Sequence, residues 1–338
     1  PHHSFFYSIQ LHNFDYHSPK PFYSNKLQEN QIKKFIDDGI QANVLKPLSS
    51  INTSYLVALA PIFPIVQKDK VRVVTDFRNI NKALQYQMEA IPPIDMLIQN
   101  LAEFCIYTTL DLKSAYYNVP LDPRGAHIGI TTAFGNYEFL RLPFGLASSP
   151  AIFTRFMRFI LQDLKYHKHD HFVQTYIDDI VIASKDAKQH IELLDTVFEL
   201  LHKYDLRLTA KKVKLCADSI EFLGYLIKDG KRYPSPSKVE AILNWKIPHT
   251  PKEWYKYIGF VNFLSCFIPN AAALLKPMYQ HHGFIKKKEQ SPISIELLKS
   301  NFQKIQYALA KTVGLQLFNP NDPIFVMTDA SDTGVGGM

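Results

Sequence analysis

The chain has 338 residues, a formal net charge of +7 and 46% hydrophobic residues. That length holds two or three compact units, and so large an apolar share excludes a wholly disordered chain. No apolar run reaches the ~20 residues of a membrane span and no signal peptide opens the chain, so no membrane partner is expected. The cationic excess suits an acidic partner such as nucleic acid, though many globular proteins share it. Cys105, Cys216 and Cys266 are far apart with no CxxC pair, which reads as ordinary thiols in a reducing compartment. The chain starts at Pro1 and stops at Met338 inside an apparent motif, so a segment of something longer is expected.

Residues 1–27 are rich in His, Tyr, Phe, Ser and Pro without periodicity and are expected to form an arm. A helix is expected over Gln28 to Leu45, with Ile32, Phe35, Ile36 and Ile40 on one face. Val71 to Phe77 reads as a strand. Pro92 and Pro93 open a helix carrying Ile94, Leu97, Ile98 and Leu101, and Ile106 to Leu112 is a second strand. His167, His169 and His171 alternate in a polar stretch that reads as a solvated loop. Phe172 to Ser184 has two β-rich arms around Asp178-Asp179, a hairpin pattern. A helix over 190–204 follows, then a strand from Glu221 to Lys228. Ser237 with Glu240, and Thr250 with Glu253, match capping boxes in a small helical unit expected to end near Pro277. Lys286 to Lys288 precede a helix over 294–310. Ile324 to Thr328 is expected as a lone strand whose backbone groups lack partners.

The chemistry concentrates in Tyr176-Ile-Asp-Asp179. Adjacent carboxylates repel unless a cation neutralises them, and Mg²⁺ is a hard ion that takes oxygen ligands together with substrate phosphates. Asp111, closing Thr108-Thr-Leu-Asp, is the natural partner from a second strand. Two ions shared among such carboxylates suit in-line phosphoryl transfer. On composition alone, Asp-Asp is also an ordinary polar turn.

The surrounding motifs decide between these readings. Tyr176-Ile-Asp-Asp179 resembles the YxDD box of reverse transcriptases. Leu142-Pro-Phe-Gly-Leu-Ala-Ser-Ser-Pro-Ala-Ile-Phe153 resembles their LPFG…SPA segment, and Thr109-Leu-Asp-Leu-Lys-Ser-Ala-Tyr116 their TLDLxxA(Y/F) strand. Val71-Arg-Val-Val-Thr-Asp-Phe-Arg-Asn-Ile-Asn81 resembles the fingers motif, and Phe222-Leu-Gly224 the primer grip. The segments from Pro236 to Asn270 are similar to the thumb of Ty3/gypsy-type elements. Phe325 to Asp332 is similar to the first strand of their RNase H domain. The resemblance covers roughly residues 28–338.

It implies an α+β right-hand polymerase with fingers, palm and thumb, an antiparallel palm sheet, and the first strand of a truncated RNase H-like domain. The expected boundaries are an arm at 1–27, fingers and palm at 28–233, thumb at 234–285, a linker or connection at 286–322 and the RNase H start at 323–338. The implied activity is RNA-directed DNA polymerase, extending a primer with dNTPs on RNA or DNA; RNase H activity is not expected of so short a tail, with Asp329 as its one matching carboxylate. Asp111, Asp178 and Asp179 would hold two Mg²⁺ ions, with Mn²⁺ an alternative. Arg72, with Lys68, would contact the triphosphate. This chain has Lys68-Asp-Lys-Val71 where relatives usually carry a glycine, which unsettles the fingertip turn. Ser114 and Ala115 would meet the triphosphate through backbone N–H groups. Tyr116 would gate against a ribose 2′-hydroxyl, and Phe144 and Gly145 would line the pocket. Lys212, with Lys211 and Lys214 as neighbouring candidates, would act as general acid toward pyrophosphate. Tyr176, Phe222, Leu223 and Gly224 would touch nucleic acid. Asp76, Arg78 and Asn81 would brace the fingers rather than touch substrate. The implied partners are an RNA template, a DNA primer and their hybrid, with protease, RNase H and integrase flanking this segment in a polyprotein. The implied location is cytoplasmic virus-like particles.

Overall fold

The computed structural model describes residues 5–15, 19–22, 25–48, 55–67, 70–85, 92–162, 164, 167–168, 171–177, 179–312, 314–317, 328–331 and 334–337. In chain order the elements are α1 (Lys26–Gln41), β1 (Leu45–Pro47), β2 (Val57–Gln67), β3 (Lys70–Thr75), α2 (Arg78–Ala83), α3 (Ile94–Gln99), β4 (Ile106–Asp111), β5 (His127–Thr132), β6 (Gly135–Phe139) and α4 (Ser149–Ile160). Next come β7 (His167–Lys168), β8 (His171–Tyr176), β9 (Asp179–Ser184), α5 (Ala187–Lys203), β10 (Lys214–Ala217), β11 (Ser219–Phe222), β12 (Tyr225–Lys228) and β13 (Lys231–Pro234). The chain then runs through α6 (Pro236–Leu243), α7 (Pro251–Phe263), α8 (Ala271–Lys286), α9 (Ile295–Ala310), β14 (Leu315–Gln316), β15 (Thr328–Ser331) and β16 (Gly334–Gly337). Among the described residues, no helix is long and apolar enough to cross a membrane. Two compact units emerge, one of Pro1–Pro92, Thr108–Ile182 and Lys188–Leu215, the other of Pro93–Tyr107, Ala183–Ala187 and Cys216–Met338.

In the first unit, α1 starts where Asn25 and Gln28 form a reciprocal capping box, which satisfies two otherwise orphaned N–H groups. Ile32 and Ile36 face the core. The helix stops at Gln41 rather than Leu45, because Asn43 turns into left-handed conformation (φ 54°) and Leu45 pairs with Phe139 on β6. One sheet runs β1-β6-β5-β2-β3, the other β10-β4-β9-β8-β7. α4 buries Phe153, Phe156 and Met157 in the same core as Leu110, Val173, Ile180 and Ile182. Its Phe and Met side chains fall at helical spacing, while the strand residues alternate. The N-terminal segment docks here too: Tyr7 N–H donates to Pro120 O, and Asp122 and Ala126 donate to Tyr7 O and Ile9 O. The stretch read as a solvated histidine loop contains a short ladder, His167↔Phe172 and Lys168↔His171; His169 lies outside the described residues.

His190 on α5 is fully buried, with Nε2 2.8 Å from Thr108 Oγ1. Burial pulls its pKa below the ordinary 6.5. As pH falls the unfolded chain therefore takes the proton first, so the fold loses stability between that ordinary value and the lower native one. Urea midpoints measured between about pH 5 and pH 7 should drop toward the acid end, and His190→Asn should flatten that slope.

In the second unit, β11, β12, β13 and β14 pair antiparallel in that order. The expected single strand from Glu221 to Lys228 is instead a hairpin: Phe222 pairs with Tyr225 across a two-residue turn. The helices α6 to α9 close around Trp254, Tyr257, Met278 and Ile305, each at most 2% exposed. Tyr257 stacks on Phe302 at 4.8 Å between centroids. Thr250 and Glu253 form the expected capping box. The one expected at Ser237 does not form: Ser235 is the N-cap and Pro236 takes the first helical position. Pro277 does not end the helical unit but sits inside α8. Of the strand expected over Ile324 to Thr328 only Thr328 is described; it opens β15, which pairs with β16, Asp329 opposite Gly336, while residues 324–327 lie outside the described residues.

Candidate active site

β4 carries Asp111 at its end, and the strand's exit fixes what lies beside it. Thr209 N–H donates to Asp111 O (2.8 Å), Lys113 N–H to Arg207 O (2.7 Å), and Leu112 bridges Leu208. These bonds hold the 3-10 turn Ala210–Lys212 against the strand end. Lys212 Nζ then lies 2.7 Å from Asp111 Oδ2, with the lysine side chain 64% exposed and the aspartate 17%. Of the three lysines that sequence alone cannot order, this is the one whose ammonium the described structure seats on Asp111.

Strand order sets β4 beside β9 and β9 beside β8. Tyr176 is the last residue of β8 and Asp179 the first of β9. Asp178 lies outside the described residues. Ile177, between the strands, has φ 55°. A tight two-residue hairpin requires positive φ, normally supplied by Asn, Asp or Gly. A β-branched residue there costs roughly 1–3 kcal/mol.

Among the described residues no group of three His, Cys, Asp or Glu side chains closes around a metal position. The donor chemistry nevertheless fits a hard divalent ion: a partly buried carboxylate that already takes a cation, Lys212, as its partner.

The second cluster follows directly in sequence. Ser114 is left-handed (φ 52°) and starts the 3-10 turn Ala115–Asn118. Asn118 Nδ2 ties that turn down by donating to Ala115 O at 3.1 Å and Lys113 O at 3.3 Å. Ala115 is buried, and Tyr116 is 8% exposed with its ring 4.7 Å from Phe144 and 5.5 Å from Phe153. Phe144 is 41% exposed, so an aromatic edge remains open beside Tyr116. Gly145 has φ +99°, and a Cβ there would meet the Phe77 ring at 3.3 Å. Asn81 clamps this loop from α2, donating to Gly145 O (3.1 Å) and accepting from Ala147 N–H (2.9 Å). Arg72, Thr75, Tyr117, Phe144 and Gly145 line a cavity of about 410 Å³. Arg72 therefore joins the predicted pocket residues. Arg78 turns to Asp76 instead, at 2.6 Å, and its guanidinium holds that carboxyl below its ordinary range. Lys68 lies outside the described residues, as does the side chain of Lys70.

Phe222, Leu223 and Gly224 belong to the second unit. Phe222 is buried, and the turn uses Leu223 at φ 50° and Gly224 at φ +84°. A side chain at Gly224 would lie 2.6 Å from Lys238 Cε, and Lys238 Nζ sits 3.4 Å from the Phe263 ring centroid. Lys238 and Asn118 support these turns, and the sequence reading missed both. For Asn118 the sequence offers only an amide able to bond backbone carbonyls a few residues back. Lys238 carries no local signal.

Residues 65–227 match the family described as reverse transcriptase (RNA-dependent DNA polymerase). The chain is 30% identical over 312 residues to the retrovirus-related Pol polyprotein from transposon 297 of Drosophila melanogaster, covering 92% of this chain and 28% of that one. Against the Pol polyprotein from transposon gypsy of the same organism it is 30% identical, covering 91% and 30%. Against the transposon Tf2-3 polyprotein of Schizosaccharomyces pombe it is 27% identical, covering 90% and 22%. The chain thus spans less than a third of the length of these relatives. Among solved structures, the foamy viral protease-reverse transcriptase in complex with RNA/DNA hybrid superposes with TM-score 0.81 at 25% identity, over 96% of this chain and 43% of that one. The same viral protein in complex with dsDNA gives 0.76 at 25%, over 96% and 67%. On its motifs, its α+β polymerase fold and these relatives, the chain carries a reverse transcriptase domain over residues 65–227 and is similar over about nine-tenths of its length to the Pol polyproteins of gypsy-type retrotransposons.

Proposed function

We propose that this chain extends a DNA primer with dNTPs on an RNA or DNA template, the primer 3′-oxygen attacking the α-phosphorus while pyrophosphate leaves. One observation carries the reading: Asp111, at the end of a strand beside the β8–β9 hairpin, has its carboxylate matched to a cation at 2.7 Å. Asp111, Asp178 and Asp179 are the residues that would hold two Mg²⁺ ions, or Mn²⁺. Ions bound there would make the 3′-hydroxyl a better nucleophile and neutralise charge on the phosphates.

The chain's own residues supply the rest. Lys212 keeps a proton on Nζ beside Asp111 and gives it to the leaving pyrophosphate. Arg72 grips the triphosphate, because a guanidinium fork matches phosphate oxygens and never loses its charge, and Lys68 assists from the fingertip. The backbone N–H groups of Ser114 and Ala115 point at the same phosphates. Tyr116, braced on Phe144 and Phe153, fills the space a 2′-hydroxyl needs, and Phe144 and Gly145 complete the wall. Tyr176, Phe222, Leu223 and Gly224 hold the primer strand. We extend the reading to a setting in cytoplasmic virus-like particles, with protease, RNase H and integrase borne by the same polyprotein and an RNA–DNA hybrid as the working substrate.

Asn81→Ala should raise KM for dNTP by roughly three- to tenfold, because two hydrogen bonds to the Gly145 loop disappear; steady-state titration of dTTP measures it. The reading as a whole is tested by dTMP incorporation on poly(rA)/oligo(dT) with Mg²⁺. Metal-dependent incorporation is expected, and a folded, inert chain would overturn it.

A further inference from the structure

The first unit holds a second cavity, of about 450 Å³, whose charged lining the polymerase reading does not use. Lys113, Arg141 and Arg207 contribute three cations to its wall, against one carboxylate, Asp205. That carboxylate is taken up by Arg207, at 3.7 Å, in a pair whose side chains are 75% and 62% exposed. Water therefore screens it. Arg141 is different. Its guanidinium is half-buried and donates to the Asn118 carbonyl at 3.3 Å. Burial pulls it below its ordinary pKa, with Asp205 only partly opposing. Among the described residues, no carboxylate lies within ion-pair distance of Arg141 or Lys113.

A partly desolvated guanidinium without a counter-charge is unfavourable until an anion completes it. Its fork suits phosphate oxygens bidentately, and a lysine on the adjoining wall adds a point charge. The Asn118 amide donates toward the carbonyls of Lys113, Ser114 and Ala115 and holds this wall of the cavity together. A cavity of this size accommodates two linked phosphates but no duplex.

We propose that this cavity, gated by Arg141 and Lys113, is a diphosphate-binding subsite that takes pyrophosphate or the terminal phosphates of a nucleoside triphosphate. Ser114 lines it, and the same residue starts the turn assigned above to the incoming triphosphate, so the subsite's place in the reaction rests on that reading. It would receive the pyrophosphate released there.

The test is calorimetric titration of sodium pyrophosphate, ATP and orthophosphate into the metal-free 338-residue chain at low ionic strength. Pyrophosphate is expected to bind at one site per chain, more tightly than orthophosphate. ATP binding as tight as pyrophosphate supports recognition of the diphosphate unit in either source, and ATP binding that is absent restricts the site to free pyrophosphate. Arg141→Gln and Lys113→Gln should each weaken pyrophosphate binding by about tenfold, whereas Lys299→Gln, exposed on α9, should not; Arg72→Gln is titrated alongside to detect binding at the triphosphate grip instead. Lys113 is exposed, so its variant keeps the test open if Arg141→Gln fails to fold. Equal affinity for orthophosphate, unchanged affinity in the folded variants, or dependence on Arg72 alone would overturn the proposal. Because binding is read without turnover, the two readings fail separately. Arg141-dependent binding in a chain without primer extension removes the polymerase reading only; extension with indifferent pyrophosphate binding removes the subsite only.

Discussion

Asp111→Asn lowers primer extension by about a thousandfold while the chain remains folded. The substitution keeps side-chain volume and removes the charge that a hard divalent ion needs. It also removes the Lys212–Asp111 ion pair, whose ammonium is 64% exposed and therefore screened by water. The stability loss therefore stays within about 1 kcal/mol. Single-turnover extension, compared with the urea midpoint of the same preparation, separates the two effects. Near-native extension by the folded variant would remove Asp111 from the reaction. Asp178→Asn should match it in size, because the paired acids are expected to share the same ions.

Tyr116→Ala admits ribonucleotides, lowering the ratio of kcat/KM for dNTP over NTP by roughly 10- to 200-fold. The side chain is 8% exposed and packs against Phe144 and Phe153. Its removal also opens a cavity and destabilises the fold by about 3–5 kcal/mol. A residue that merely packs would show the same loss of stability, so only the ratio distinguishes a gate from a filler. Tyr116→Val leaves a smaller void and should shift the ratio in the same direction. A constant ratio in both variants, despite lower stability, would make Tyr116 a packing residue.

Much of this arrangement was legible in the sequence because local pattern and chemistry agreed. β4 ends at the aspartate the pattern marked. The β8 arm ends at Tyr176 and the β9 arm starts at Asp179, and Thr250 caps α7 with Glu253 closing the box. The misreadings have physical causes. Leu223 gave no turn signal, since a left-handed leucine is something sequence statistics argue against; only Gly224 hinted at the hairpin. Pro277 was read as a terminator, but Leu275 and Met278 on either side of it are buried, and that packing outweighs the lost hydrogen bond. Pro236 moved the cap of α6 back to Ser235, because proline favours the first helical position. Asp229-Gly230, a strong hairpin signal, marked the β12–β13 turn and was passed over. Lys211, Lys212 and Lys214 are alike in sequence. Which one meets Asp111 depends on the direction of a 3-10 turn held by β4, a long-range fact. The clamp of Asn81 on the Gly145 loop joins residues 64 positions apart, so the sequence could suggest a brace but not name what it grips.

The central claim is tested most directly by extending a 5′-labelled DNA primer on a heteropolymeric RNA template of defined sequence, with four dNTPs and Mg²⁺, and sequencing the product. The account predicts DNA complementary to the RNA, accumulating with time and absent when EDTA is added or Asp111 is replaced by Asn. No product from the folded chain, a product not complementary to the RNA, or extension that persists with EDTA or in Asp111→Asn would contradict it.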